Sequence, residues 1–117
     1  MSAALRNAVA LALGLALSQA ALAGGNADAG KAKAAQVCAA CHSADGAKPT
    51  TPEYPVLAGQ YYEYLVRALS DYKSGKRQNA IMNGFAATLS PQEIEDVAAW
   101  FSSQPSPLYT PHEGEIR

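Results

Sequence analysis

Residues 37–46 read "VCAACHSADG", and the reading of this stretch decides the fold. It holds both cysteines of the chain, Cys38 and Cys41, and His42 follows the second directly. Four chemistries use such a cluster: a structural disulfide, a redox-active dithiol, a zinc site, and covalent attachment of haem. The residues on either side separate them.

Upstream, "MSAALRNAVALALGLALSQAALAGG" opens with one basic residue, Arg6. An apolar run from Ala8 to Leu17 follows, then Ala21-Leu22-Ala23. This is the n-region, h-region and small-residue cleavage site of a secretory signal peptide. The solidly apolar part is shorter than the roughly 20 residues a spanning helix needs, so cleavage after Ala23 is favoured over an anchor. Residues 1–23 are therefore expected to be removed, with no stable membrane insertion afterwards and a periplasmic location. The full 117-residue chain has a net charge of −1, and losing Arg6 makes it one unit more acidic. Basic patches interleaved with aromatics are lacking, which argues against nucleic acid as a partner. A mature chain this small has a thin core, because small domains bury a smaller share of their surface.

Downstream, the pattern is helical. Asn26 or Asp28 can cap a first helix through "AGKAKAAQVC", rich in good helix formers. Gly30 and Ala34 share a face of it, and two small residues there allow another helix to approach closely. "SADGAKPTTPEYPVLAGQ", with Pro49, Pro52 and Pro55, reads as a long loop. "QYYEYLVRALSDYKSG" is a second helix, with Tyr61, Leu65, Ala68 and Tyr72 at helical spacing and Gly75 as C-cap. "KRQNAIMNGFAAT" reads as loop again. Ser90-Pro91-Gln92-Glu93 is a helix start with a capping box and proline at the first helical position. Ile94, Val97, Ala98 and Phe101 form the apolar stripe of this third helix, with Trp100 beside it. Residues 104–117 form a proline-rich tail, expected to be loosely ordered or to hug the surface. No alternating strand pattern occurs. The fold class is all-α: three principal helices and two long loops in a domain spanning residues 24–103.

Against this background the motif can be weighed. A disulfide across two intervening residues closes a very small loop and constrains little of the unfolded chain. A thioredoxin-like dithiol needs a βαβ setting, which this pattern lacks. Zinc needs about four ligands. Beyond the cluster the chain offers only His112, in the tail, and carboxylates. Haem attachment uses all three residues: each thiol adds across a vinyl group, and His42 lies beneath the iron. Export supplies the compartment where such attachment occurs. A large apolar macrocycle also supplies the core that the chain is too short to build, and gives the long loops something to wrap around. One covalent haem c, held by Cys38 and Cys41, is the favoured reading.

A low-spin haem needs a second axial ligand. Met1 leaves with the signal peptide, so Met82 is the remaining thioether and His112 the remaining imidazole. A lone methionine is usually a core filler. The polar, glycine-bearing neighbours of Met82 do not form a core stripe, and Met82 is favoured as the ligand over His112. Met/His ligation favours the ferrous state and raises the potential. A filled coordination sphere also denies substrates access to iron, which suits electron transfer.

These residues resemble the class I c-type cytochromes of bacteria, in particular small periplasmic monohaem carriers built like one half of a dihaem cytochrome c. The similarity runs from Asp28 to about Ser103 and rests on "DAGKAKAAQVCAACH", "YPVLAGQYYEYLVRALSDYKSGKR" and "NAIMNGFAATLSPQEIEDVAAWFSSQ", in that order. The resemblance implies a cytochrome c-like fold, thioethers at Cys38 and Cys41, and iron ligation by His42 and Met82. It further implies that the Pro55 carbonyl orients the proximal imidazole, and that Gly30 sits where the first and last helices cross, facing Val97 and Trp100 or Phe101. The tail from Pro105 onward departs from the family's usual ending.

Function then reads as a periplasmic electron carrier and not an enzyme, docking transiently with redox protein partners. Lys48, Lys73, Lys76 and Arg77 offer either a positive rim for an acidic partner or a scattered, solvated set of cations. The alternative is a haem c subunit of a larger periplasmic oxidoreductase complex, with the tail as its contact. A ligand-binding or peroxidase-like role would require Met82 to leave the iron.

Overall fold

The computed structural model describes residues 24–108. Residues 1–23, read as the signal peptide, and residues 109–117, which include His112, lie outside that range. Five helices follow one another: α1 (Ala27–Val37), α2 (Ala39–His42), α3 (Tyr62–Ser74), α4 (Ala80–Ala87) and α5 (Pro91–Ser102). Among the described residues there is no strand, and no helix is long and apolar enough to cross a membrane.

Local chemistry sets the helix ends. The Asn26 side chain accepts from the backbone N–H groups of Asp28 and Ala29 at 2.9 and 3.0 Å, so Asn26 is the cap of α1 and Asp28 lies in its first turn. α1 stops at Val37, one residue short of the expected end. Cys38, at φ −105° and still in the right-handed helical region, marks a one-residue break, and α2 is a separate turn that carries Cys41 and His42. Gly75 ends α3 in the left-handed conformation at φ 78°, which an L side chain rarely adopts. The capping box at α5 is complete: the Ser90 hydroxyl accepts from the Glu93 N–H at 3.1 Å, and the Glu93 carboxylate accepts from the Ser90 N–H at 2.8 Å.

One element differs from expectation. Residues 80–87, read as loop, form α4, and Met82 lies in its first turn. The Asn79 side chain caps it by accepting from the N–H groups of Ile81 and Met82 at 3.1 and 3.0 Å. Gly84 suggested a loop, but a β-carbon there would meet nothing within 4 Å, so this glycine is simply a tolerated exposed helical position.

α1 and α5 cross closely at Gly30. A β-carbon on Gly30 would lie 1.9 Å from the Asp96 carbonyl oxygen and 3.0 Å from the Trp100 β-carbon. Trp100 is thus on the facing surface as expected, and the atoms nearest to Gly30 are those of the Asp96 carbonyl, which joins directly to Val97. The Asp96 carboxylate also accepts from the Asn26 N–H at 2.7 Å, pinning the start of α1 to α5. Ala34, Leu65, Val97, Ala98 and Phe101 form the buried core, so the stripe expected on α5 does face inward. The α3 stripe is only partly buried: Leu65 is in the core, whereas Tyr61 precedes the helix and is 79% exposed.

The loop between α2 and α3 is tied down along its length. Trp100 donates from its indole nitrogen to the Ala44 carbonyl at 2.9 Å, Thr50 N–H donates to Cys41 O at 2.9 Å, and Gly59 N–H donates to Phe101 O at 2.9 Å. These bonds hold Pro55 and Leu57 beside α2.

Candidate functional site

A cavity of about 540 Å³ opens between the α2–α3 loop and helices α2 to α5. Its volume lies within the range of small-molecule and cofactor sites, about 300–1,000 Å³. Cys38, Cys41, His42 and Met82 all line it. The motif comes from the α1–α2 junction, and Met82 from α4, which packs on α3. Residues far apart in the chain thereby meet at one hole in the fold.

His42 is 6% exposed, and its Nδ1 lies 3.0 Å from the Pro55 carbonyl oxygen. A carbonyl only accepts, so Nδ1 carries the proton and Nε2 keeps its lone pair. That is the tautomer a metal-ligating imidazole needs, with the second nitrogen oriented by backbone. The Pro55 contact matches the expectation drawn from the resemblance.

Cys38 and Cys41 are free and partly buried. Burial pushes the Cys38 thiol up to about 11. A thiol so reluctant to ionise is a poor thiolate ligand or redox nucleophile. A thioether carries no such penalty, so the site suits alkylated sulfur. Among the described residues no group of three or more His, Cys, Asp or Glu side chains is arranged to hold a metal ion.

Apolar side chains form most of the wall: Leu65 and Leu69 from α3, Ile81 and Phe85 from α4, Val97 and Phe101 from α5. Polar groups line it as well: Tyr64, Tyr72, Arg77 and Asn79 from α3 and the turn before α4, and Glu53, Tyr54 and Gln60 from the α2–α3 loop. A largely apolar macrocycle fits this lining, with two thiols to bond it and an imidazole to bind its iron.

Sequence reasoning missed two polar residues here. Asn83 donates to the carbonyls of Tyr72 and Arg77 at 2.7 and 2.8 Å and accepts from Asn79 N–H at 2.7 Å. Arg77, grouped at first with partner-docking cations, lies against the cavity. Asn79 ahead of "AIM" was the available signal for a capped helix; nothing local marked Asn83 or Arg77. Of the other cations, Lys73 donates to the Ala87 carbonyl at 3.1 Å and Lys76 pairs with Asp71 at 3.9 Å.

The chain is similar to known proteins across this whole region. The family model described as Cytochrome c matches residues 27–105. Cytochrome c4 of Pseudomonas aeruginosa is 50% identical over 96 residues, covering 82% of this chain and 47% of the relative. Cytochrome c-554(548) of Halomonas halodenitrificans is 41% identical over 83 residues, covering 68% of this chain and 98% of the relative. The crystal structure of reduced recombinant cytochrome c4 from Pseudomonas stutzeri superposes with a TM-score of 0.64 at 42% identity, covering 70% of this chain and 47% of that one. The chain spans about half the length of the cytochrome c4 relatives it matches. With the motif at the cavity and the likeness running from α1 past the end of α5, the chain belongs to the cytochrome c family, whose cofactor is covalently bound haem c.

Proposed function

We propose that the protein is a periplasmic electron carrier in which Cys38 and Cys41 hold one haem c through thioethers and His42 and Met82 are its axial ligands. One observation carries this reading: a single, largely apolar cavity collects both motif sulfurs, the Pro55-oriented imidazole and the Met82 thioether. When bound, the haem iron supplies a one-electron Fe(III)/Fe(II) couple.

The chain's own residues prepare for that couple. The Pro55 carbonyl accepts from Nδ1 and aims the His42 ring, leaving Nε2 as the nitrogen that would bind the iron. A thioether ligand is uncharged and soft, which favours the reduced state. The apolar walls exclude water from the centre and hold the surroundings still, so little rearranges between oxidation states. Partners would be redox proteins that dock briefly over a small patch.

The second reading is a haem c subunit of a larger periplasmic oxidoreductase complex.

The test uses the purified, haem-loaded protein. A carrier gives one reversible one-electron wave in voltammetry, a native mass of domain size, and no carbon monoxide complex when reduced at neutral pH. Ready carbon monoxide binding would replace the carrier with a ligand-binding haem protein. A stable hetero-complex in the native mass would favour the subunit reading.

A further inference from the structure

We propose that cleavage after Ala23 makes a partner for Asp96: the new α-ammonium of Gly24 pairs with this carboxylate on α5 and anchors the start of the mature chain. The proposal rests on the signal-peptide reading of residues 1–23 and is independent of the electron-carrier reading.

Asp96 is 8% exposed, the one buried acidic side chain among the described residues. Its Oδ1 accepts from the Asn26 N–H at 2.7 Å and from the Gln92 side-chain amide at 2.9 Å. Both donors are neutral and both use Oδ1, so Oδ2 has no hydrogen bond among the described residues. No Lys or Arg of the described residues pairs with this carboxylate. The two lysines of α1 are engaged elsewhere: Lys31 Nζ lies 5.3 Å from the centre of the Trp100 ring, and Lys33 pairs with Glu93 at 2.8 Å. A buried carboxylate without a cation is costly, because neutral donors restore only part of its hydration. The start of α1 offers the partial positive charge of a helix N-terminus. The Asn26 side chain already takes the N–H groups of Asp28 and Ala29 there. A full positive charge is still missing.

The chain entering α1 is seated where that charge is needed. Gly24 has φ 124°, which an L side chain rarely adopts. A β-carbon on Gly25 would lie 1.9 Å from the Glu95 carbonyl oxygen. Both residues thus follow α5 along a path open to glycine. The Gly24 nitrogen is two residues from the Asn26 nitrogen, at most about 7 Å away, and the Asn26 nitrogen is bonded to Asp96. In the uncleaved chain the Gly24 nitrogen is an uncharged amide. Hydrolysis of the Ala23–Gly24 bond by a signal peptidase consumes a water: its oxygen leaves with the leader as the Ala23 carboxylate, and the Gly24 nitrogen becomes an ammonium.

The groups around this seat are acidic. Glu95 and Asp96 come from α5, Tyr62 from α3 and Asp28 from the first turn of α1. Burial, and after it the charge of Glu95, push the Tyr62 hydroxyl up, as a negative field does. An ammonium placed there is held in its charged form, and Asp96, bonded to Asn26, is its fixed counter-charge.

The experiment uses the haem-loaded protein matured in an exporting host: wild type, Asp96→Asn, Glu95→Gln, and a chain with Ser inserted between Ala23 and Gly24. Intact mass is expected to give residues 24–117 plus one haem for the wild type. The α-amine is then labelled with trace acetic anhydride at neutral pH and read by mass spectrometry on the N-terminal peptide, with a free Gly-Gly-Asn-Ala peptide as reference. Pairing holds the amine protonated, so the wild type labels about tenfold more slowly than the peptide. Asp96→Asn keeps an acceptor for Asn26 but removes the charge, and it labels at close to the peptide rate. Glu95→Gln stays near the wild type. Should Asp96→Asn mature poorly, the Ser insertion, which leaves the fold intact and moves the ammonium outward, also labels near the peptide rate. A wild-type amine as reactive as the peptide overturns the proposal, as does slow labelling that persists in Asp96→Asn or in the Ser insertion. A mature chain starting elsewhere overturns it at the first step. Haem potential enters none of these readouts, so failure of the carrier reading leaves them intact.

Discussion

The side-chain amide of Asn83 donates to the Tyr72 carbonyl at 2.7 Å and so ties the first turns of α4 to the last turn of α3. The same nitrogen reaches Arg77 O, and the amide oxygen receives the Asn79 N–H. One side chain thus satisfies backbone groups on both sides of the turn that leads to Met82. Removing it takes one donor from the Tyr72 carbonyl, which keeps the Gly75 N–H, and leaves the exposed Arg77 carbonyl to water, at a cost of about 0.5–1.5 kcal/mol. Asn83→Ala is expected to lower the denaturation midpoint of the haem-loaded protein by an amount in that range. It should also weaken the sulfur-to-iron charge-transfer absorption, because Met82 loses its fixed approach. An undiminished band together with unchanged stability would mean the turn is held by the Asn79 cap alone.

Met82→Ala tests the ligand itself. Loss of the thioether should abolish the charge-transfer band of the oxidised protein, lower the potential, and open the iron to carbon monoxide in the reduced state. The optical spectrum, titrated potential and carbon monoxide difference spectrum measure these in turn. A wild-type spectrum in the variant would assign the sixth position to another group.

Gly30→Ala sets two effects against each other. Alanine is favoured over glycine within a helix by about 1 kcal/mol. The added β-carbon, however, would sit 1.9 Å from a backbone oxygen of α5, and backbone cannot rotate away as a side-chain tip can. Separating the helices also disturbs the Asp96–Asn26 bond. Overpacking of this kind costs about 1–3 kcal/mol, so the net change is destabilising. Thermal unfolding of the haem-loaded variant is the check, and an equal or higher Tm would show that α1 slides along α5 without penalty.

The legible parts of this fold are those written in local chemistry. The Ser90–Glu93 box, Gly75 beyond α3 and the α5 stripe each name their own structural consequence, and the all-α class follows from them. The motif at Cys38 names its chemistry just as directly. α4 escaped because its evidence is split: Asn79 argues for a cap, while Gly84 and the polar neighbours argue for a loop. Packing on α3 decides between them, and packing is not a local property. The role of Asn83 and the placement of exposed Arg77 at the cavity edge depend on the path of the turn after Gly75, which no pattern in "KRQNAIMNG" specifies. At Gly30 the small-residue spacing foretold a close crossing, but the atoms nearest to it are those of the backbone carbonyl of Asp96, and backbone belongs to no side-chain pattern.

Glu93 gives the pH dependence a defined sign. Its carboxyl is held below the usual range first by the hydrogen bond from Lys33, at 2.8 Å, and then by the bond from the Ser90 N–H in the capping box. Both partners favour the ionised form. A group whose pKa is depressed on folding contributes stability above its unfolded pKa, and that contribution is lost as pH falls through the folded value. The α5 cap and its link to α1 through Lys33 should therefore weaken on acidification below the ordinary glutamate range. Glu93→Gln keeps a hydrogen-bonding oxygen for Ser90 but removes the charge, so its Tm should lie below wild type at neutral pH and approach it in acid. The interaction is exposed and screened, so the gap should also narrow with added salt. Tm measured against pH at two ionic strengths separates the cases. A gap that is constant with pH and salt would assign the effect of Glu93 to cap geometry and leave its charge without a role.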